Sequence, residues 1–426
     1  MSPFKIIIIT IFSVSIVAGI AIFALSKGAS TTPAADIVVW GTIPEQTFGL
    51  VYSESSIFNN KSIKVNYTMK DSQDFDSDFV EALAEGRGPD VVIIRDDLIY
   101  KNRNKLITIP YKSYSERTFK DTFIEAGEVF LSEDGIVAIP FAVDPLVMYW
   151  NRDIFANNQI SQPPKYWEEM PSLVSKITKK DASGNVYQST IAFGEWNNIN
   201  NVKEVLAMLL LQAGTPITAR SGSGVTSVIN SQLGYAVSPG QSALDFYTQF
   251  SNQTSPMYTW NRSLPSSLNS FLSGNLAIYI GFSSELFQIL QKNSNLNYDV
   301  TIVPQIKDTK KRIVYGKMLA MAISKQSKQV GAAFTFMSAL TEPKALSALE
   351  KINSLPPVRR DMLSSVPSDA YRNVFYNSAL IAHSFIDPNP SATSRIFKNM
   401  VESITSGKSR VSESLSRASS ELNAEF

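Results

Sequence analysis

The chain has 426 residues, 44% hydrophobic, 18% charged and 11% aromatic, with a formal net charge of +1. That length exceeds one ordinary core and implies two lobes, and so small a charge gives no electrostatic footprint for nucleic acid. The absence of cysteine excludes disulfides and thiolate chemistry, and a single histidine, His383, excludes a multi-histidine metal centre, so no metal or cofactor is expected.

Residues 6–25, "IIIITIFSVSIVAGIAIFAL", carry no charge between Lys5 and Lys27. This is about the length a helix needs to span a bilayer core, and longer than the roughly 7–15 apolar residues of a cleaved signal. Residues 1–27 therefore read as an N-terminal transmembrane anchor, with Ala24-Leu25-Ser26 leaving processing open. No cysteine follows as a lipid-attachment site. Residues 28–35, "GASTTPAA", form a flexible tether. The expected location is the cell membrane, with the globular part outside the cytoplasm.

The globular part opens with an apolar run, Asp36–Trp40, that reads as a buried strand. Phe75–Glu85 has helical spacing, and Val91–Ile94 is a second strand, so the three suggest a parallel βαβ unit. The stretch 138–155, "AIPFAVDPLVMYWNRDIF", is a third strand, apolar on both faces but interrupted by Asp144. A buried carboxylate needs donors, and Pro145 breaks regular pairing, as a strand leaving one sheet for another would require. "IAFGEW" (191–196) reads as a strand and Val202–Ala213 as a helix stopped by Gly214. Residues 243–250 and 268–272 are helical by pattern, while 276–280, 300–303 and 318–323 are strands. The chain closes on helices, the last at 411–422. The alternation predicts an α/β fold with mainly parallel strands in two lobes.

Several phrases in this order resemble the extracytoplasmic solute-binding proteins of sugar ABC importers, the family that includes maltose-binding protein. They are "GRGPDVVIIRDD" (86–97), the 138–155 stretch, "PPKYWEEM" (163–170), "LLLQAGTPI" (209–217), "FLSGNLAIYIGFSSEL" (271–286), "SLPPVRRDM" (354–362) and "ITSGKSRVSESLSRASSEL" (404–422). The resemblance covers nearly the whole chain after the tether. It implies a two-lobe periplasmic-binding-protein-like (type II) fold joined by hinge strands. Lobe 1 would span about 36–143 and 304–352, and lobe 2 about 144–303 and 353–426.

The candidate ligand-binding residues follow from strand ends and from this resemblance. Trp40 ends a strand and offers an aromatic face for a sugar ring. Glu45 lies in the loop beyond, and reads as solvated. By resemblance Asp97 hydrogen-bonds hydroxyls, while Asp96 reads as a turn or helix cap. Glu195 and Trp196 resemble the second-lobe rim, with Asn197 and Asn198 competing for that role. Phe282 and Ser283 stand where maltose-binding protein carries a tryptophan-bearing turn, a departure that argues against maltodextrin itself. Tyr315 sits at a strand entrance, and Phe385 by the last hinge region. His383 reads as a packed residue. Asp144 is expected to face the cleft at the hinge as a ligand acceptor.

These readings imply a non-enzymatic, monomeric receptor that captures a mono- or oligosaccharide and delivers it to an ABC transporter permease. Alternatives on the same fold are a receptor for a non-sugar solute and a sensory protein. A third is a glycoside hydrolase using Asp97 and Asp144, which needs two carboxylates about 5–10 Å apart across a cleft.

Overall fold

The computed structural model describes residues 35–222, 224–309, 311–365 and 367–426. The expected anchor at 6–25 lies outside them, and among the described residues no helix is long and apolar enough to cross a membrane.

The strands are β1 (Ala35–Gly41), β2 (Ile63–Met69), β3 (Val91–Arg95), β4 (Ile109–Pro110), β5 (Gly135–Ile136), β6 (Ile139–Asn151), β7 (Lys179–Lys180), β8 (Val186–Ile191), β9 (Thr218–Ser221), β10 (Gly224–Ser227), β11 (Leu276–Phe282), β12 (Tyr298–Thr301), β13 (Val314–Ile323) and β14 (Ala382–His383). The main ladder runs β2-β1-β3-β13-β6-β11-β8-β7, with β12 also on β6 and β14 on β13. The Val91–Ile94 core of β3 is wholly buried, as a strand covered on both faces must be. β2, "IKVNYTM", is half exposed along its length and forms an edge. Its weak apolar signal explains why the sequence shows no strand there.

The β1–β2 and β1–β3 pairs are parallel, as the βαβ reading requires. β8–β11 and β13–β14 are parallel too, but the expectation of mainly parallel strands does not hold for the middle of the ladder: β3–β13, β13–β6 and β6–β11 are all antiparallel. An apolar run records burial but not direction, and the strands that pass between the two halves of the ladder run against their neighbours. The strand expected at 191–196 lies earlier, at Val186–Ile191, and Ala192–Trp196 form a loop. The run at 318–323 is the second part of β13, which starts at Val314.

β6 joins the two halves. Its first part pairs with β13 as far as Pro145, opposite Gly316. From Leu146, opposite Phe282, it pairs with β11, and from Met148 also with β12. Pro145 thus stands where the strand changes partners. The helix Val202–Ala213 ends as read, at Gly214 in the left-handed region (φ +107°). The helices Pro390–Thr405 and Val411–Asn423 pack on each other and on Pro239–Thr248.

Candidate functional site

Asp144, 8% exposed, lies at that change of partners. Its Oδ1 accepts hydrogen bonds from Ser283 Oγ (2.7 Å) and the Ser284 backbone N–H (3.0 Å), just before the helix Glu285–Lys292. A carboxylate is favoured at such a helix N-terminus. Its Oδ2 receives no donor among the described residues and is not sealed from solvent. Phe282 and Ser283, both buried, flank the same point. Tyr149 donates to the Phe282 carbonyl (2.7 Å), and Glu285 accepts from Tyr279 and the Phe282 N–H. Burial pushes the Glu285 carboxyl above its ordinary range. Asp144, Phe282 and Ser283 are thus brought together.

A second group gathers at the end of β3. Asp96 and Asp97 occupy the first turn of the helix Asp96–Asn102. Asp97 takes a two-pronged contact from Arg95 (3.0 and 3.3 Å) and lies 3.9 Å from Lys203 Nζ. Lys203 is 7% exposed and donates to Asp387 (2.5 Å), which also accepts from Thr393 Oγ1 and the Asn389 N–H. Lys203 sits in the first turn of its helix, where the macrodipole disfavours a cation, so flanking acids are a physical requirement. Burial opposes its charge, but Asp387 and Asp97 outweigh that and hold its pKa above the ordinary value. Asp96 accepts from the Met318 N–H (3.2 Å) and Ser384 Oγ (2.6 Å). Burial, and then the charge of Asp97, pushes its carboxyl up to about 7. Tyr315 is buried beside this group, its ring 6.5 Å from that of Phe385.

The other candidates stand apart. The ring of Trp40 is half-buried and carries Lys70 Nζ at 4.1 Å. Glu195 is buried, with Arg262 at 3.4 Å and its carbonyl bound by Tyr247 (2.6 Å), while Trp196 beside it is half-buried. Asn197 reaches Glu402, and Asn198 organises the 261–264 loop through its bonds to Asn261, Leu264 and Trp260. Glu45 is exposed at a helix start. His383 is packed as read, 3.1 Å from Glu125.

A cavity of about 290 Å³ opens between the helix Asp96–Asn102, the 129–137 segment, the β9–β10 hairpin and residues 385–387. Its walls include Asp96, Tyr100, Arg220, Phe385 and Asp387, but none of the eight candidate ligand residues. It therefore shares a wall with the Asp97–Lys203 group and does not include the Asp144 group.

Residues 58–375 match the family described as bacterial extracellular solute-binding protein. The chain belongs to that family. Among solved structures this solute-binding protein is similar to a cyclo/maltodextrin-binding protein complexed with maltotetraose (TM-score 0.74, 16% identity, 93% of this chain and 98% of that one). It is also similar to the cyclic alpha-maltosyl-1,6-maltose binding protein of Arthrobacter globiformis (TM-score 0.75, 16% identity, 92% and 99%). A third is an ABC transporter solute-binding protein of Thermotoga lettingae bound with alpha-D-tagatose (TM-score 0.65, 17% identity, 92% and 100%). At these identities the likeness shows the fold: a mixed α/β protein of two lobes.

Sequence reasoning missed Lys203, Ser384 and Asp387 of this solute-binding protein. Lys203 had a signal, as the one cation inside the apolar "VKEVLAMLLLQA". Asp387 is 184 positions away, so nothing local announces the pair.

Proposed function

We propose that this protein is the solute receptor of an ABC importer, capturing a carbohydrate between its lobes and presenting it to a membrane permease. The globular part works outside the cytoplasm, tethered through residues 6–25. The lobes divide near Pro145, with 36–143 and 304–352 on one side and 144–303 and 353–426 on the other. Asp144 is the hydroxyl acceptor, flanked by Phe282 and Ser283 and helped by Trp40, Asp97, Glu195, Trp196 and Tyr315. The extracellular family supports this reading, as do the sugars bound in the similar structures.

The observation that carries it is Asp144. A nearly buried carboxylate with one oxygen saturated and the other without a donor is poised for a hydroxyl brought from outside. A thermal-shift screen of the full chain, kept in mild detergent for its apolar leader, tests it against sugars, amino acids, peptides and polyamines. A sugar should raise the melting temperature by mass action, and Asp144→Asn should abolish the shift. A shift from an amino acid, peptide or polyamine with none from any sugar overturns the carbohydrate reading.

A further inference from the structure

Asp144 and Lys317 stand directly opposite each other on β6 and β13. Residues so opposed in an antiparallel ladder share a face of the sheet, and opposite charges there ordinarily attract. These two do not meet. No carboxylate among the described residues comes within 4.0 Å of the Lys317 ammonium, and none of the remaining positions carries one. Nζ lies instead 4.0 Å over the ring of Phe282. It makes no hydrogen bond to a described residue, and it is not sealed from solvent. The ammonium donors and Asp144 Oδ2 are therefore both left unused by the described residues, on side chains that share one face of the sheet.

The geometry points to Lys317 as a second solute-contacting residue, with a neutral vicinal diol as the group that it and Asp144 take together. This rests on the carbohydrate reading above. A sugar hydroxyl both donates and accepts. One hydroxyl of the diol donates to Asp144 Oδ2, and its neighbour accepts from Lys317 Nζ. Both bonds involve a charged partner and so belong to the stronger class. The charges of the pair sum to zero, so a neutral ring meets no opposing field. An acidic sugar meets Asp144, and an amino sugar meets Lys317. Phe282 then acts through Lys317: its capped ring positions the ammonium.

Calorimetric titration of the full chain in detergent tests this with maltotetraose, D-tagatose and D-glucose as neutral probes and D-glucuronate and D-glucosamine as charged ones. Binding should be confined to neutral sugars. Lys317→Met should weaken it about tenfold or more, the scale of a hydrogen bond to a charged group, while leaving the melting temperature of the unliganded protein unchanged. Lys317→Arg should restore part of the loss. Lys317→Gln serves in place of the methionine variant if that one does not fold. A neutral sugar bound equally with and without Lys317, or a preference for glucuronate or glucosamine, overturns this inference alone. No binding by any sugar overturns the carbohydrate reading, and this inference with it.

Discussion

Asp387→Ala removes the carboxylate that holds Lys203 inside the fold. In the native protein the two side chains are 1% and 9% exposed and 2.5 Å apart. Without Asp387, the ammonium keeps only Asp97 at 3.9 Å, which Arg95 already engages. Removing one partner of a buried pair costs about 3–5 kcal/mol, because a charge is left without compensation. Thr393 Oγ1 and the Asn389 N–H also lose their acceptor, which places the loss at the upper part of that range. Lys203→Met should cost less, about 1–3 kcal/mol. Asp387 then keeps two neutral donors, and its carboxyl, already pushed up by burial, takes a proton. The double variant Lys203→Met/Asp387→Leu should return close to native stability, since apolar groups of similar size replace buried pairs with little loss. Equilibrium urea denaturation followed by circular dichroism reads all three. A loss below about 1 kcal/mol for Asp387→Ala, outside the expected range for a broken buried pair, would refute the reasoning. So would a larger loss for Lys203→Met than for Asp387→Ala.

Asp96 gives a pH dependence of definite sign. The unfolded carboxyl releases its proton near 3.8 and the folded one holds it to about 7, so this group's contribution to stability is full below the lower value and declines as pH rises between them. Asp96→Asn should flatten that part of a stability–pH curve measured by urea denaturation. Glu125 behaves oppositely. His383, against the effect of burial and helped by Lys311, lowers its carboxyl from 4.5 to about 2, so its contribution is present above 4.5 and fades as pH falls towards 2. The site is 39% exposed, so Glu125→Gln should lower stability by less than about 1 kcal/mol at neutral pH. Gly135 has φ +150°, and a Cβ there would stand 2.1 Å from the Ile109 carbonyl oxygen. Gly135→Ala should therefore break the β4–β5 pair and cost about 1–3 kcal/mol, visible as a lowered melting temperature.

The parts of the fold legible in the sequence are those where one short stretch carries the whole signal. β3 shows as "VVII" because it is buried on both faces, and the helix Val202–Ala213 is delimited by Gly214. Pro145 beside Asp144 marks the change of strand partner for the same reason: a missing N–H and a buried charge are both local facts. Strand direction was not legible, since β13 and β3 are equally apolar whichever way they run. The partners of the acids were not legible either. Asp97, Asp144 and Glu195 were read as candidate ligand contacts, and of their partners only the need of Asp144 for donors was foreseen, whereas Arg95 and Lys203, the Ser283–Ser284 corner and Arg262 engage them. Of these acids, only Asp144 shows an oxygen that no described group occupies.

β6 runs through both halves of the ladder without a break, and Asp144 lies at the point about which the lobes would turn. A body rotating about a hinge moves least at its axis and most at its rim. Under the proposed function a solute gripped by Asp144 would therefore be held almost identically whether the lobes stand apart or together. A contact of equal strength in two states shifts no population between them. Under the proposed function Asp144 would decide which solute is held and how firmly, whereas the energy that draws the lobes together would have to come from groups away from that point.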